Sequence, residues 1–137
     1  MSSQATFVEI EHTADWSICV HGSTLRDLFV NAAVGMYSLM ADISTLTPTI
    51  EREIKVASGD VEALLVRWLN ELLYHTEMDG EMFCEFAITS LDSTRITSSA
   101  KASRGIELKK QIKAVTFHNL KIVSANEGYE VTLVFDV

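Results

Sequence analysis

The sequence predicts an α+β fold, a largely antiparallel mixed sheet with two helices packed against it, as a single domain over residues 1–137. Three observations predict it. Two windows carry apolar residues at helical spacing, their neighbours carry them at every second position, and the strand windows come in runs instead of alternating singly with helices. A chain of 137 residues suits one domain, and an apolar fraction of 47% supplies a core that needs neither disulfide nor structural metal.

The first strand is expected at about 7–12 and the second at about 16–21, where Trp16, Ile18 and Val20 alternate with Ser17, Cys19 and His21. Gly22-Ser23 breaks the pattern. Thr24 with Asp27 three residues on is a variant capping box, so the first helix starts there. Leu25, Leu28, Phe29, Ala32, Met36, Leu39 and Met40 fall on one of its faces. Gly35 inside it costs about 1 kcal/mol relative to alanine, which suggests close packing against the sheet. A strand follows at about 49–56. The second helix is capped by Ser58 or Asp60 and carries an apolar stripe of Val61, Leu64, Leu65, Trp68, Leu69, Leu72 and Leu73. Met78-Asp79-Gly80 ends it. Strands are then expected at about 82–89, 95–102, 111–121 and 129–137, with a turn at Asn126-Glu127-Gly128. The order is β-β-α-β-α-β-β-β-β.

A net charge of −8 argues against strong direct binding to a nucleic-acid backbone and suits either a soluble protein with a basic partner or solubility alone. No long uncharged apolar run predicts a membrane span. The N-terminus has no apolar signal region, and Cys19 and Cys84 lack framework spacing, so a reducing cytoplasm with buried structural thiols is the expectation. Serine-hydrolase elbow, phosphate-binding loop, zinc-protease and dinucleotide motifs are absent, and no catalytic residue is assigned.

A few residues invite a chemical reading. Asp15, in His12-Thr13-Ala14-Asp15-Trp16, is either a turn former or cap, or a ligand, and His12 either an ordinary strand-end histidine or a ligand. The last strand is apolar enough to be central in the sheet, with Asp136 at its end and a terminal carboxylate at Val137 if the chain ends there. Two neighbouring anionic groups call for a positive partner, and a hard cation such as Ca²⁺ or Mg²⁺ fits oxygen ligands better than Zn²⁺. A solvated tail is the other reading. Lys113 and His118 are five apart and face opposite sides of a flat strand, unless a bulge intervenes or His118 lies at the strand's end.

Taken together, these segments resemble the archease family. The resemblance begins at His12-Thr13-Ala14-Asp15 and continues through Thr24-Leu25, Leu28-Phe29, Ala32-Ala33 and Leu39-Met40-Ala41-Asp42. It takes in Leu64-Leu65 and Trp68-Leu69-Asn70-Glu71-Leu72-Leu73-Tyr74. It closes with Lys113-Ala114-Val115-Thr116-Phe117-His118-Asn119-Leu120 and Phe135-Asp136-Val137. Trp16 and Ser17 depart from the apolar residue and glycine that many members carry after the aspartate. The resemblance implies a non-catalytic activator of a GTP-dependent RtcB-type RNA ligase. Such an activator promotes guanylylation and multiple turnover in tRNA splicing and RNA repair. It implies a metal site, with calcium as the ion, on Asp15, Asp136 and Val137, with Asp42 as a weaker addition. His12, Lys113 and His118 would contact the partner. The alternatives are a chaperone or modulator of a tRNA-modifying enzyme such as a methyltransferase, and a metal-dependent hydrolase using Asp15 and Asp136.

Overall fold

The computed structural model describes residues 7–10, 16–117, 119–125 and 127–137. The expected α+β class is what it shows. Strands β1 (Phe7–Ile10) and β2 (Trp16–Gly22) lead into helix α1 (Leu25–Met40), and a short 3₁₀ turn (Ile43–Thr45) into β3 (Ile50–Ala57). Helix α2 (Val61–Asp79) is followed by β4 (Met82–Leu91), β5 (Arg95–Ser103), β6 (Ala114–Thr116), β7 (Val123–Ala125) and β8 (Gly128–Asp136).

The strands divide into two sheets, which the sequence reading did not anticipate. One runs β1-β2-β8-β6, with β7 also on β8, and the other runs β3-β5-β4. Every pairing is antiparallel. Both helices contact strands of both sheets. Strand alternation turns Val131, Leu133 and Phe135 inward, leaving them at most 2% exposed.

Local chemistry sets the helix ends. Thr24 caps α1 by accepting a hydrogen bond from the Asp27 amide at 3.0 Å, and Asp60 caps α2 by accepting from the Ala63 amide at 2.8 Å. Gly80 closes α2 in the left-handed conformation, φ 68°. Gly35 lies against the first sheet, where an added Cβ would stand 2.8 Å from Ile18 Cδ1. The tightest approach is at Gly22, where a Cβ would lie 2.3 Å from the backbone nitrogen of Leu28. Gly22 is therefore more than a break after β2: only a bare α-carbon lets the start of α1 fold down onto the end of that strand.

The cysteines differ from expectation. Cys19 and Cys84 are free and half-buried, not core thiols. Alternation turns Cys19 away from Ile18 and Val20, and Cys84 falls at a register shift in β4 between Phe83 and Glu85. Partial burial, helped by the nearby Glu130 and Glu85 respectively, raises both thiol pKa values, which disfavours reactive thiolates.

Because Gly22 meets backbone and not a flexible side-chain tip, Gly22→Ala should lower unfolding free energy by about 3 kcal/mol. Urea denaturation checks this, and a loss below about 1 kcal/mol would show that the α1–β2 junction can relax.

Candidate functional site at the end of the first sheet

The central strand β8 fixes the site. Along one edge it pairs with β2 from Gly22↔Tyr129 to Trp16↔Phe135. It also pairs with β6, from Thr116↔Val134 to Ala114↔Asp136. The start of β2, the start of β6 and the end of β8 thus meet at one end of the sheet. The Lys113 amide extends the β6 pairing by donating to the Asp136 carbonyl at 2.8 Å. Asp136 is exposed, and among the described residues its carboxylate has neither a hydrogen bond nor an ion pair.

Strand β6 is far shorter than the expected strand over 111–121. Asn70 on α2 occupies its outer edge. Its side-chain carbonyl accepts from the Val115 amide at 2.8 Å, and its side-chain NH₂ donates to the Val115 carbonyl at 3.2 Å. A primary amide thereby fills the place a further strand would take, and it pins β6 to the helix. Beyond β6 the chain turns, with Asn119 at φ 57°. Glu62 accepts a hydrogen bond from the Ile122 amide at 3.2 Å and holds the return path against the start of α2.

Before β6, residues 104–113 form a strap without helix or strand. Gly105 takes φ 75° at its start. The Lys109 amide donates to the Met40 carbonyl at 2.7 Å, and Lys110 Nζ sits 3.8 Å from the centroid of the Trp16 ring.

The residues expected from sequence therefore fare differently. Asp136, Val137 and Lys113 converge at this sheet end. Asp15, His12 and His118 lie outside the described residues. Asp42 stands elsewhere, capping the 3₁₀ turn with its Oδ1 accepting from the Ser44 hydroxyl at 2.6 Å. It lines a concavity of about 400 Å³ with Ser38, Cys84 and Lys109.

The structure brings together a second cluster of polar side chains. His75, Asp79 and Glu81 offer ligand atoms within 4.8 Å of one another, a donor set that could hold a metal. Glu81 is fully buried, yet both of its oxygens already face guanidinium groups. Arg52 binds it in a fork, Nε at 2.8 Å and Nη2 at 2.6 Å, and Arg104 Nη2 adds a contact at 3.3 Å. A cation entering beside two guanidiniums meets like charge, so the geometry favours an ion-pair cluster. It ties the end of α2 to β3 and to the strap. Arg52 hydrogen bonding is the leading cause that holds the Glu81 carboxyl below the usual carboxylate range, against the opposing effect of burial. Sequence patterning gave no sign of this pair. An asparagine in mid-helix, beside the apolar stripe, was the one available hint of the role of Asn70.

Fold and site together define a small α+β protein whose last strand is central and whose sheet end presents oxygen donors beside a basic strap. The Archease protein family (MTH1598/TM1083) matches residues 7–137. Protein archease of Methanosarcina barkeri is 34% identical over 146 residues, with all of each chain covered. That of Archaeoglobus fulgidus is 37% identical over 134 residues, covering 93% of this chain and 96% of its own. The solution structure of Methanobacterium thermoautotrophicum Protein 1598 superposes with a TM-score of 0.80 at 28% identity, covering 98% of this chain and all of its own. The Thermotoga maritima protein described as an archease and possible chaperone shares the fold, with a TM-score of 0.67 at 22% identity over 93% of this chain and 94% of its own. The chain belongs to the archease family.

Two outcomes test this geometry. Asn70→Ala leaves both backbone groups of buried Val115 without their partner, and should lower stability by about 2 kcal/mol in urea melts. Glu81→Gln should lower stability at pH 7 by about 3 kcal/mol, the low end for a broken buried pair, because the Arg52 side chain is 33% exposed. The native Glu81 pKa is depressed, so its contribution is complete above the ordinary carboxyl value of about 4.3 and lost as pH falls through the lower folded value. The stability gap between wild type and Glu81→Gln should shrink from pH 7 to pH 3. A gap that stays constant would remove the ion pair from the account.

Proposed function

We propose that this archease is a non-catalytic, cation-holding activator of a GTP-dependent RtcB-type RNA ligase, acting as one unit over residues 1–137 in the cytoplasm. In this reading it promotes guanylylation and multiple turnover of the ligase in tRNA splicing and RNA repair. The observation that carries the proposal is the convergence at the end of β8. The Asp136 carbonyl accepts from the Lys113 amide at the same sheet end where β2 begins with Trp16, the Asp136 carboxylate has no partner among the described residues, and Asp15 directly precedes Trp16 in the sequence.

Asp15, Asp136 and Val137 are the residues that would hold the ion. Their donors are oxygens, and the Asp136 carboxylate has no competing partner among the described residues, so a hard cation such as calcium suits them. When bound, the ion neutralises the acidic groups and ties them together. The Lys113 ammonium, with His12 and His118, would supply polar contacts to the ligase. The net charge of −8 favours a basic protein surface over bare RNA as the partner. Among the described residues no helix is long and apolar enough to cross a membrane.

A chaperone or modulator of a tRNA-modifying enzyme, such as a methyltransferase, is the second reading. What favours it is the description of the Thermotoga maritima relative as a possible chaperone. It predicts stoichiometric action that does not depend on Asp136.

The test is guanylylation of a cognate ligase by GTP, with this protein at sub-stoichiometric amounts. Wild type should stimulate. Asp15→Ala and Asp136→Ala should fold normally by circular dichroism and return the rate to that of the ligase alone. Undiminished stimulation by both variants would end the proposal.

A further inference from the structure

The strap over residues 104–113 carries Arg104, Lys109, Lys110 and Lys113, four of the eleven lysines and arginines in an acidic chain. It is fastened along its length. Arg104 Nη2 reaches Glu81 at 3.3 Å, the Lys109 amide bonds to Met40, Ile112 is only 3% exposed, and the Lys113 amide bonds to Asp136. Between the last backbone anchor on α1 and the Lys113 bond lies the contact of Lys110 with Trp16. Trp16 itself is fixed, since it stands across from Phe135, the residue before Asp136.

This contact joins the two halves of the sheet end. Trp16 opens the strand that follows Asp15, and Lys110 stands three residues before Lys113. An indole face attracts an ammonium through its quadrupole, and the methylene stem of lysine packs on the same surface. The attraction at a partly exposed ring is modest, so the fastening can open and close around the folded state.

We propose that Lys110 is a positioning residue for the sheet-end site: its ammonium, seated on the Trp16 ring, latches the strap so that Lys113 stays bonded to the backbone of Asp136. The proposal rests on the reading of this sheet end as the functional surface. Its first test is independent of any ligase. Lys110→Met keeps the stem that covers the indole and removes the charge. Lys110→Arg keeps a cation that stacks on aromatic faces.

Amide hydrogen exchange is measured by NMR on the full-length, metal-free protein. Lys110→Met should speed exchange of the Lys113 amide about two- to fivefold. It should leave the Leu133 amide, in the middle of β8, unchanged, and Lys110→Arg should restore wild-type exchange. If exchange at Lys113 does not respond, or if Leu133 speeds up equally, the latch is refuted. In the guanylylation assay, Lys110→Met should weaken stimulation and Lys110→Arg should recover it. Lost stimulation with unaltered exchange would mean that Lys110 touches the partner directly, which overturns a positioning role. Failure of the wild-type protein to stimulate would defeat the activator reading, while the exchange result would still decide the latch.

Discussion

Strand β8 must be bonded along both edges, and most of this structure follows from that. It pairs over seven positions with β2, and its other pairings, with β6 and β7, fall toward its two ends. Its inward residues Val131, Leu133 and Phe135 are withdrawn from water on the side where α1 packs. Each such side chain is worth about 1.5–3 kcal/mol when fully buried. Without β8, strands β2, β6 and β7 have no common neighbour, and no sheet end exists at which Lys113 and Asp136 could meet.

Helix α2 is the second organiser, because it is bonded to both sheets. Toward the three-stranded sheet the Trp68 indole N–H donates to the Ser98 hydroxyl at 2.9 Å, and that hydroxyl donates to the Ile54 carbonyl at 3.0 Å. Toward the other sheet Asn70 serves both backbone groups of Val115. Two residues apart on one helix, these side chains fix the spacing of the two sheets with directional bonds that apolar packing alone would not supply.

Charge is distributed with similar economy. The chain is acidic overall, yet its basic strap crosses the end of the first sheet, where the exposed Asp136 carboxylate has no partner among the described residues. The buried Glu81 is answered by Arg52 and Arg104, which removes it from the donors open to a cation and ties down the start of the strap. Under the proposed activator function, oxygen donors at the sheet end and nitrogen donors along the strap would give a partner two kinds of contact within one small surface. A binding protein gains specificity from such a mixture, since a wrong partner leaves one of the two charges unanswered.

Local spacing and residue type determined the two helices, the cap at Thr24, the choice of Ser58 or Asp60 as the second cap, the stop at Gly80 and the presence of most strands. Those features depend on residues within one or two turns of each other. The apolar alternation of Val131, Leu133 and Phe135 likewise marked β8 as central and drew attention to Asp136 and Val137. Tertiary structure decided what lies between distant segments. It divided the strands into two sheets, reduced the stretch 111–121 to the short β6, and turned Cys19 and Cys84 out of the core. It alone set Arg52 against Glu81, Asn70 against Val115 and Lys110 against Trp16. The physical reason is that hydrophobic spacing is a local signal carried by several residues at once. A hydrogen bond or an ion pair needs only one residue from each of two remote segments, and no local pattern announces which two will meet.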